Sequence, residues 1–268
     1  MPLARLAVAA LLIGAALPSR AGADAPADPA AALERAMSAA EGSLRAGELR
    51  SAERRYRAAL VEGWLLMGSL EAAAGRPAEA RAALRRASTA GPETPRSRPA
   101  PAPAHVRLAG IPPEARQDLR QRTTAALARA YLNLGVMQAR KQAFSRAAEL
   151  FASAAELDPV FPRVQYSLGV ARFNAQQFEQ ATGPLARALA DQPRDIALKR
   201  MLALAWLNTD AFDKAAELLR DDPGREDDPS LQYVYGLALV RGNRVSEAEP
   251  VFARLLARHG DTAELNVL

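Results

Sequence analysis

The chain has 268 residues, no cysteine, and 35 Lys and Arg against 30 Asp and Glu, a formal net charge of +5. Without a thiol there is no disulfide framework and no cysteine nucleophile or thiolate ligand. The arginines alternate with Asp and Glu instead of forming a stripe, which leaves no electrostatic footprint for DNA or RNA. Aromatic residues make up 5% and strand-type alternation of Val, Ile and Thr is nearly absent, so an all-α chain is expected.

Residues 1–23 begin with Arg5 ahead of an apolar run from Leu6 to Leu17, followed by Pro18, Ser19 and the small residues Ala21, Gly22 and Ala23. This pattern reads as a secretory signal peptide cleaved after Ala23, because the run is much shorter than the ~20 residues of a spanning helix. Residues 24–90 hold two helical hairpins. Ala36 and Ala40 lie on a first helix and Ala52, Tyr56 and Ala59 on its partner. A fuller unit then opens at Trp64, Met67 and Gly68 and continues through Gly75, Pro77, Ala80, Leu84 and Ala87. Residues 91–113 carry seven prolines and read as an extended linker. The alternative is that His105, Val106, Leu108 and Ile111 dock on a neighbouring helix.

Residues 114–268 form a second array of about four units. A helix resumes after Pro113, with Glu114 and Asp118 in its first turn, and runs to Arg140. From there the spacing repeats: Gly135, Ala147, Phe151, Ala154 and Pro159 return as Gly169, Ala181, Leu185, Ala188 and Pro193, each 34 positions later. Leu202, Ala203, Ala215 and Leu219 continue the series, then Tyr235, Gly236, Ala248, Phe252 and Leu255. Phe144, Phe178, Phe212 and Val245 mark the start of each second helix. Steps of 4 and 3 place a small, large, small stripe on one helical face, so a small residue on the opposing helix allows close crossing with one bulky side chain in the gap. In the third unit Asp222 stands where a small residue is expected, and Pro223, Gly224 and a block of acids follow, so its second helix should be short and its boundary kinked or loose. At the end, Asp261 to Leu268 reads as half of another opening helix without a polar cap. Apolar surface from Phe252, Leu255 and Leu256 is therefore expected, met either by further repeats in a longer protein or by self-association.

These units resemble the tetratricopeptide repeat, whose pattern of Trp-x2-Leu-Gly followed by Ala, Phe, Ala and Pro is matched best by Tyr131, Leu134, Gly135, Ala147, Phe151, Ala154 and Pro159. The aromatic that the family places late in the first helix is replaced by Glu71, Gln138, Arg172 and Leu239; only Trp206 keeps it. The resemblance implies an α-solenoid of antiparallel hairpins whose first helices line a concave groove for peptides or partner helices. Carried over by register, that groove is lined by Leu132, Val136 and Arg140, then Arg163, Tyr166, Val170, Phe173 and Asn174. Arg200, Leu204 and Asn208 come next, and Tyr233, Leu237 and Arg241 last. The family's carboxylate-clamping members use Lys and Asn where this chain has Leu132 and Val136, which argues against that activity.

No catalytic site is expected, since the only histidines are His105 in the linker and His259 at a helix end. Asp221, Asp222, Glu226, Asp227 and Asp228 lack the ligand spacing of a calcium loop and read as a solvated turn, so neither metal nor cofactor is expected. The functional expectation is a non-catalytic interaction scaffold of the bacterial cell envelope, periplasmic or secreted, binding a protein or peptide in the groove. Two alternatives stand beside it. One is a regulatory or scaffolding segment of a larger protein; the other is a component of an export system that binds anionic polysaccharide through Arg140, Arg163, Arg200 and Arg241.

Overall fold

The computed structural model describes residues 30–91, 108, 111–161, 163–225 and 227–259, and every regular element among them is helical. The leader-like residues 1–23, most of the proline-rich segment with His105 and Val106, and the tail from 260 onward lie outside the described residues. In chain order the helices are α1 (Ala31–Arg45), α2 (Leu49–Ala73), α3 (Pro77–Ala90), α4 (Pro113–Arg140), α5 (Phe144–Leu157), α6 (Val164–Asn174), α7 (Phe178–Asp191), α8 (Ile196–Leu207), α9 (Phe212–Arg220), α10 (Pro229–Arg241) and α11 (Val245–His259). Within each hairpin the two helices pack antiparallel, and successive units pack on one another, with α4 lying along α2, which makes the fold an α-solenoid.

Every hairpin turns in the same way. A residue two or three positions past the end of each first helix is left-handed: Gly47, Gly75, Gln142, Gln176, Asp210 and Asn243 have φ between 56° and 76°. The next N–H reaches back to a carbonyl five residues earlier, as in Ala143 N to Gln138 O at 3.0 Å, Gln177 N to Arg172 O at 2.9 Å and Arg244 N to Leu239 O at 2.8 Å. These are Schellman closures, which satisfy the orphan carbonyls and reverse the chain.

Inside each hairpin the small-against-large pairing is seen directly. A Cβ added at Gly135 would lie 2.5 Å from Phe151 Cε1, at Gly236 2.6 Å from Phe252 Cζ, and at Gly169 2.9 Å from Leu185 Cδ2. The second helix thus seats its large residue on bare backbone, and the crossing is closer than any side chain would allow.

The N-terminal hairpins differ from the sequence expectation in one respect. Tyr56 and Trp64 belong to a single 25-residue helix, α2, which serves as second helix of the first hairpin and first helix of the next. No proline separates Ala59 from Trp64, whereas Pro159 and Pro193 follow α5 and α7, so nothing interrupts the hydrogen-bond ladder. The still longer α4, 28 residues, runs antiparallel along α2, with Glu71 beside Arg120, Trp64 beside Tyr131, Tyr56 beside Asn133 and Glu53 beside Lys141. It runs parallel to α1, where Glu34 meets Arg122 and Glu41 meets Arg129. Leu33, Tyr56, Trp64, Leu127, Leu134, Met137 and Leu150 consequently share one core that spans α1 to α5. Leu108 and Ile111, at the far end of the proline-rich segment, pack against Leu66, Leu70 and Leu119, and Arg116 Nε donates to Ile111 O at 2.8 Å.

Two further expectations are corrected. The second helix of the third unit is short, nine residues against fourteen in α5 and α7, but the turn after it is pinned rather than loose. Lys199 of α8 pairs with buried Asp222, Asp222 Oδ1 accepts from Gly224 N at 2.8 Å, and Arg225 Nη1 donates to Leu219 O at 2.8 Å. Asp222 is covered because Lys199 and Gly224 N–H satisfy its carboxylate, while Asp221 and Asp227 stay exposed. At the other end Leu255 is 2% exposed, because it shares the face of Ala248 and Val251 turned toward α10, while Leu256 is 56% exposed.

Candidate partner-binding face

The stride of the hairpins sets the first helices, α4, α6, α8 and α10, in mutual contact as neighbouring rods. Each presents two or three side chains at i, i+4 and i+8 toward the same side. Leu132 and Val136 come from α4, Tyr166, Val170 and Asn174 from α6, Arg200 and Leu204 from α8 with Asn208 capping its end, and Tyr233, Leu237 and Arg241 from α10. The apolar members are all half-buried. Leu132 and Val136 rest on a cluster of Ala147, Phe151 and Leu168, Tyr166 and Val170 on Leu185, Leu198 and Leu202, and Leu204 and Leu237 on Ala203, Leu231 and Ala238.

The polar members are held in place. Arg163 adopts a left-handed conformation (φ 64°) and sets its guanidinium 5.4 Å from the Tyr166 ring centroid. Arg200 Nη1 donates to Ser230 Oγ at 2.9 Å. Arg241 Nη1 donates to Leu207 O at 3.3 Å, bridging α10 to α8, and lies 5.9 Å from the Phe212 ring. Asn174 and Asn208 donate to the carbonyls of Val170 and Leu204 at 2.7 and 2.8 Å, each finishing its helix. Arg140 is exposed at the end of α4. Burial pushes the Tyr166 hydroxyl above its ordinary pKa, with Asp195 adding to the rise and Arg163 opposing it, so it stays a neutral donor at ordinary pH. Every charged side chain in the row is an arginine.

Two residues placed in the row by register also serve the hairpin interior. Phe173 packs edge-on against Phe178 at 5.5 Å between centroids, and Tyr233 against Phe252 at 6.0 Å. Register counting identifies the helix face, but it does not tell a side chain lying over the face from one leaning into the turn.

The polar seam between α2 and α4 was not anticipated. Trp64 Nε1 donates to Tyr131 Oη at 2.9 Å, Asn133 Nδ2 to Tyr56 Oη at 3.0 Å, and Gln138 Nε2 to Glu53 Oε1 at 3.1 Å. Glu71, 3% exposed, is bound by Arg76 and Arg120. Burial works to raise the Glu71 pKa, and the hydrogen bonds and charges of the two guanidiniums outweigh it, for a net depression. The signal was present as departures from the repeat, since Glu71 and Gln138 occupy positions where the family carries an aromatic.

The hairpin stack with a shared wall of first helices defines the class of helical-repeat solenoids. Within it, the tetratricopeptide repeat family matches residues 61–100, a stretch that includes the second half of α2 and all of α3. Among solved structures the chain is similar to MamA of AMB-1, at 20% identity over 57% of this chain and 90% of that one, with a TM-score of 0.46. MamA from Desulfovibrio magneticus RS-1 is similar at 21% identity over 56% and 90%, TM-score 0.42. YrrB, described as a TPR protein with an unusual peptide-binding site, is similar at 20% identity over 55% and 76%, TM-score 0.45. A comparison with curated proteins gives no match. Among the described residues no helix is long and apolar enough to cross a membrane, and no three His, Asp or Glu side chains converge as metal ligands.

Proposed function

We propose that the chain is a non-catalytic protein-interaction scaffold of the bacterial cell envelope that holds a peptide or partner helix along the first-helix row. The observation that carries this reading is the row itself. Half-buried Leu132, Val136, Val170, Leu204 and Leu237 are interleaved with Tyr166 and with Arg140, Arg163, Arg200 and Arg241. Apolar anchor sites along the wall suit an extended or helical segment, and a row whose own charged members are all arginines favours one that also carries Asp or Glu. The placement in the envelope, periplasmic or secreted, rests on the leader-like pattern of residues 1–23.

Arg140 and Arg163 are both exposed, so Arg140→Glu with Arg163→Glu should leave stability within about 0.5 kcal/mol. Affinity capture from the native envelope, quantified by mass spectrometry, is expected to retrieve one dominant protein with the parent chain and at least tenfold less of it with the reversed pair. Equal recovery by both would refute the row as the site. Added salt separates the reading from an anionic polysaccharide, because a site driven by charge alone weakens steeply while apolar anchors hold.

A further inference from the structure

The turn between α1 and α2 concentrates charge of one sign. Residues 45–57 hold five arginines and two glutamates, and residues 45–50 are all exposed. Arg45 ends α1, while Arg50, Arg54 and Arg55 fall in the first two turns of α2. Among the described residues none of these four guanidiniums meets a carboxylate. Arg45 Nε donates to Glu41 O at 3.4 Å, Arg54 Nη2 to Ser51 Oγ at 3.5 Å and Arg55 Nη1 to Ala39 O at 3.2 Å. The acids of this end are engaged: Glu53 holds Arg57, Gln138 and Lys141, Glu41 pairs with Arg129 at 3.1 Å, and Glu48 accepts from Ser43 Oγ at 3.3 Å.

The positive end of a helix favours an acid in its first turn, and Glu79 in α3, Glu179 in α7, Asp213 in α9 and Glu247 in α11 supply one. Helices α2 and α5 have none, and the Lys141–Glu53 pair sets the α4–α5 turn beside α2. Arg50 and Arg54 therefore stand where the helix dipole opposes them. Guanidinium groups keep their charge at any ordinary pH, so only an outside anion offsets both the dipole and their mutual repulsion. Leu49, 40% exposed, opens α2 next to Arg50. Arginines beside an exposed apolar side chain on a chain reversal suit a surface with anionic groups above an apolar layer. An acidic protein segment matches the charge but leaves Leu49 without a place.

We propose that the α1–α2 turn docks the protein on an anionic phospholipid surface through Arg45, Arg50, Arg54 and Arg55, with Leu49 entering the headgroup boundary. This surface shares no residue with the first-helix row and stands independently of it. The chain has no cysteine, so Leu49→Cys in the full chain takes a single environment-sensitive fluorophore. Leu84→Cys, at a position 41% exposed on α3, takes the same label as a control. Reading single positions keeps this contact distinct from any made by the apolar run Leu6 to Leu17. Each labelled chain is titrated with phosphatidylcholine vesicles, with vesicles of phosphatidylcholine and phosphatidylglycerol in equal parts, and with soluble polyglutamate. A saturating blue shift is expected at position 49 with the phosphatidylglycerol vesicles alone, and none at position 84. Arg50 and Arg54 are exposed and bind nothing beyond Ser51, so Arg50→Gln with Arg54→Gln keeps the fold and is expected to weaken vesicle binding about tenfold. A response at position 49 to polyglutamate that equals or exceeds the response to vesicles would reassign the turn to an acidic protein. No shift at 49, equal shifts at 49 and 84, equal response to both kinds of vesicle, or an affinity unchanged in the arginine variant would overturn the proposal.

Discussion

Replacing Gly169 by Ala sets two known effects against each other. In a helix interior Ala is favoured over Gly by about 1 kcal/mol, so a position with room should gain. At Gly169 there is none: the added Cβ would meet Leu185 Cδ2 and Cγ at 2.9 Å and, more importantly, the Leu185 backbone nitrogen at 3.0 Å. A side chain can rotate away, but a backbone nitrogen in the middle of α7 moves only with its helix. Overpacking of this kind costs about 1–3 kcal/mol, so the clash outweighs the propensity gain and a net loss of about 1 kcal/mol is expected. Gly68 supplies the control. Its added Cβ meets Leu84 Cδ2 first, at 3.2 Å, and Leu84 is 41% exposed and free to shift. Gly68→Ala should therefore be neutral or stabilising by up to about 1 kcal/mol. Urea unfolding followed by circular dichroism on both variants reads the difference. Equal changes at the two glycines would refute close helix crossing as the reason for the small residue.

Three further outcomes follow from the structure. Gln176→Gly should stabilise by about 0.5–1 kcal/mol in the same assay, because a left-handed non-glycine residue costs about 1–2 kcal/mol and glycine's extra unfolded entropy cancels part of the gain; a loss of stability would contradict the Schellman geometry. Lys199→Met, which strands the Asp222 carboxylate at 5% side-chain exposure, should cost about 3 kcal/mol, and adding Asp222→Leu should recover much of it, a sign that a thermal-melt double-mutant cycle reads. The depressed Glu71 carboxyl stabilises the fold above the ordinary value of 4.5, and that contribution fades as pH falls through the lower folded value, so Glu71→Gln should flatten stability against pH below 4.5 while lowering it at neutral pH; parallel pH profiles for the two chains would contradict this.

The hairpins were legible because their cause is local. Gly135 with Phe151 and Gly169 with Leu185 recur at a stride that only stacked units require, and the structure puts each pair in contact. The αL turn was also written in the chain, in Gly47, Gly75, Asp210 and Asn243, but Gln142 and Gln176 at the equivalent places conceal it. The fusion of two helices into α2 was missed because repeat spacing suggests a boundary wherever a unit ends, while the ladder stops only where something such as Pro159 stops it. Glu71 and Gln138 were visible as departures and not as partners, since Arg120 and Glu53 lie 49 and 85 residues away. For the candidate face, register named the first helices, which the structure sets side by side. It did not separate Phe173 and Tyr233, which lean on Phe178 and Phe252, from Val170 and Leu204, because apolar and aromatic residues suit core and surface groove alike.

Site-specific photo-crosslinking in cells that produce the chain tests the proposed binding wall most directly, with a benzophenone side chain placed at Tyr166 on α6 or at exposed Arg187 on α7. One discrete adduct is predicted from position 166, lost when Arg140 and Arg163 are reversed to Glu, and none from position 187. Adducts of equal yield at both positions, or at 187 alone, would mean that partners meet the second helices and that the wall of first helices is not the binding surface.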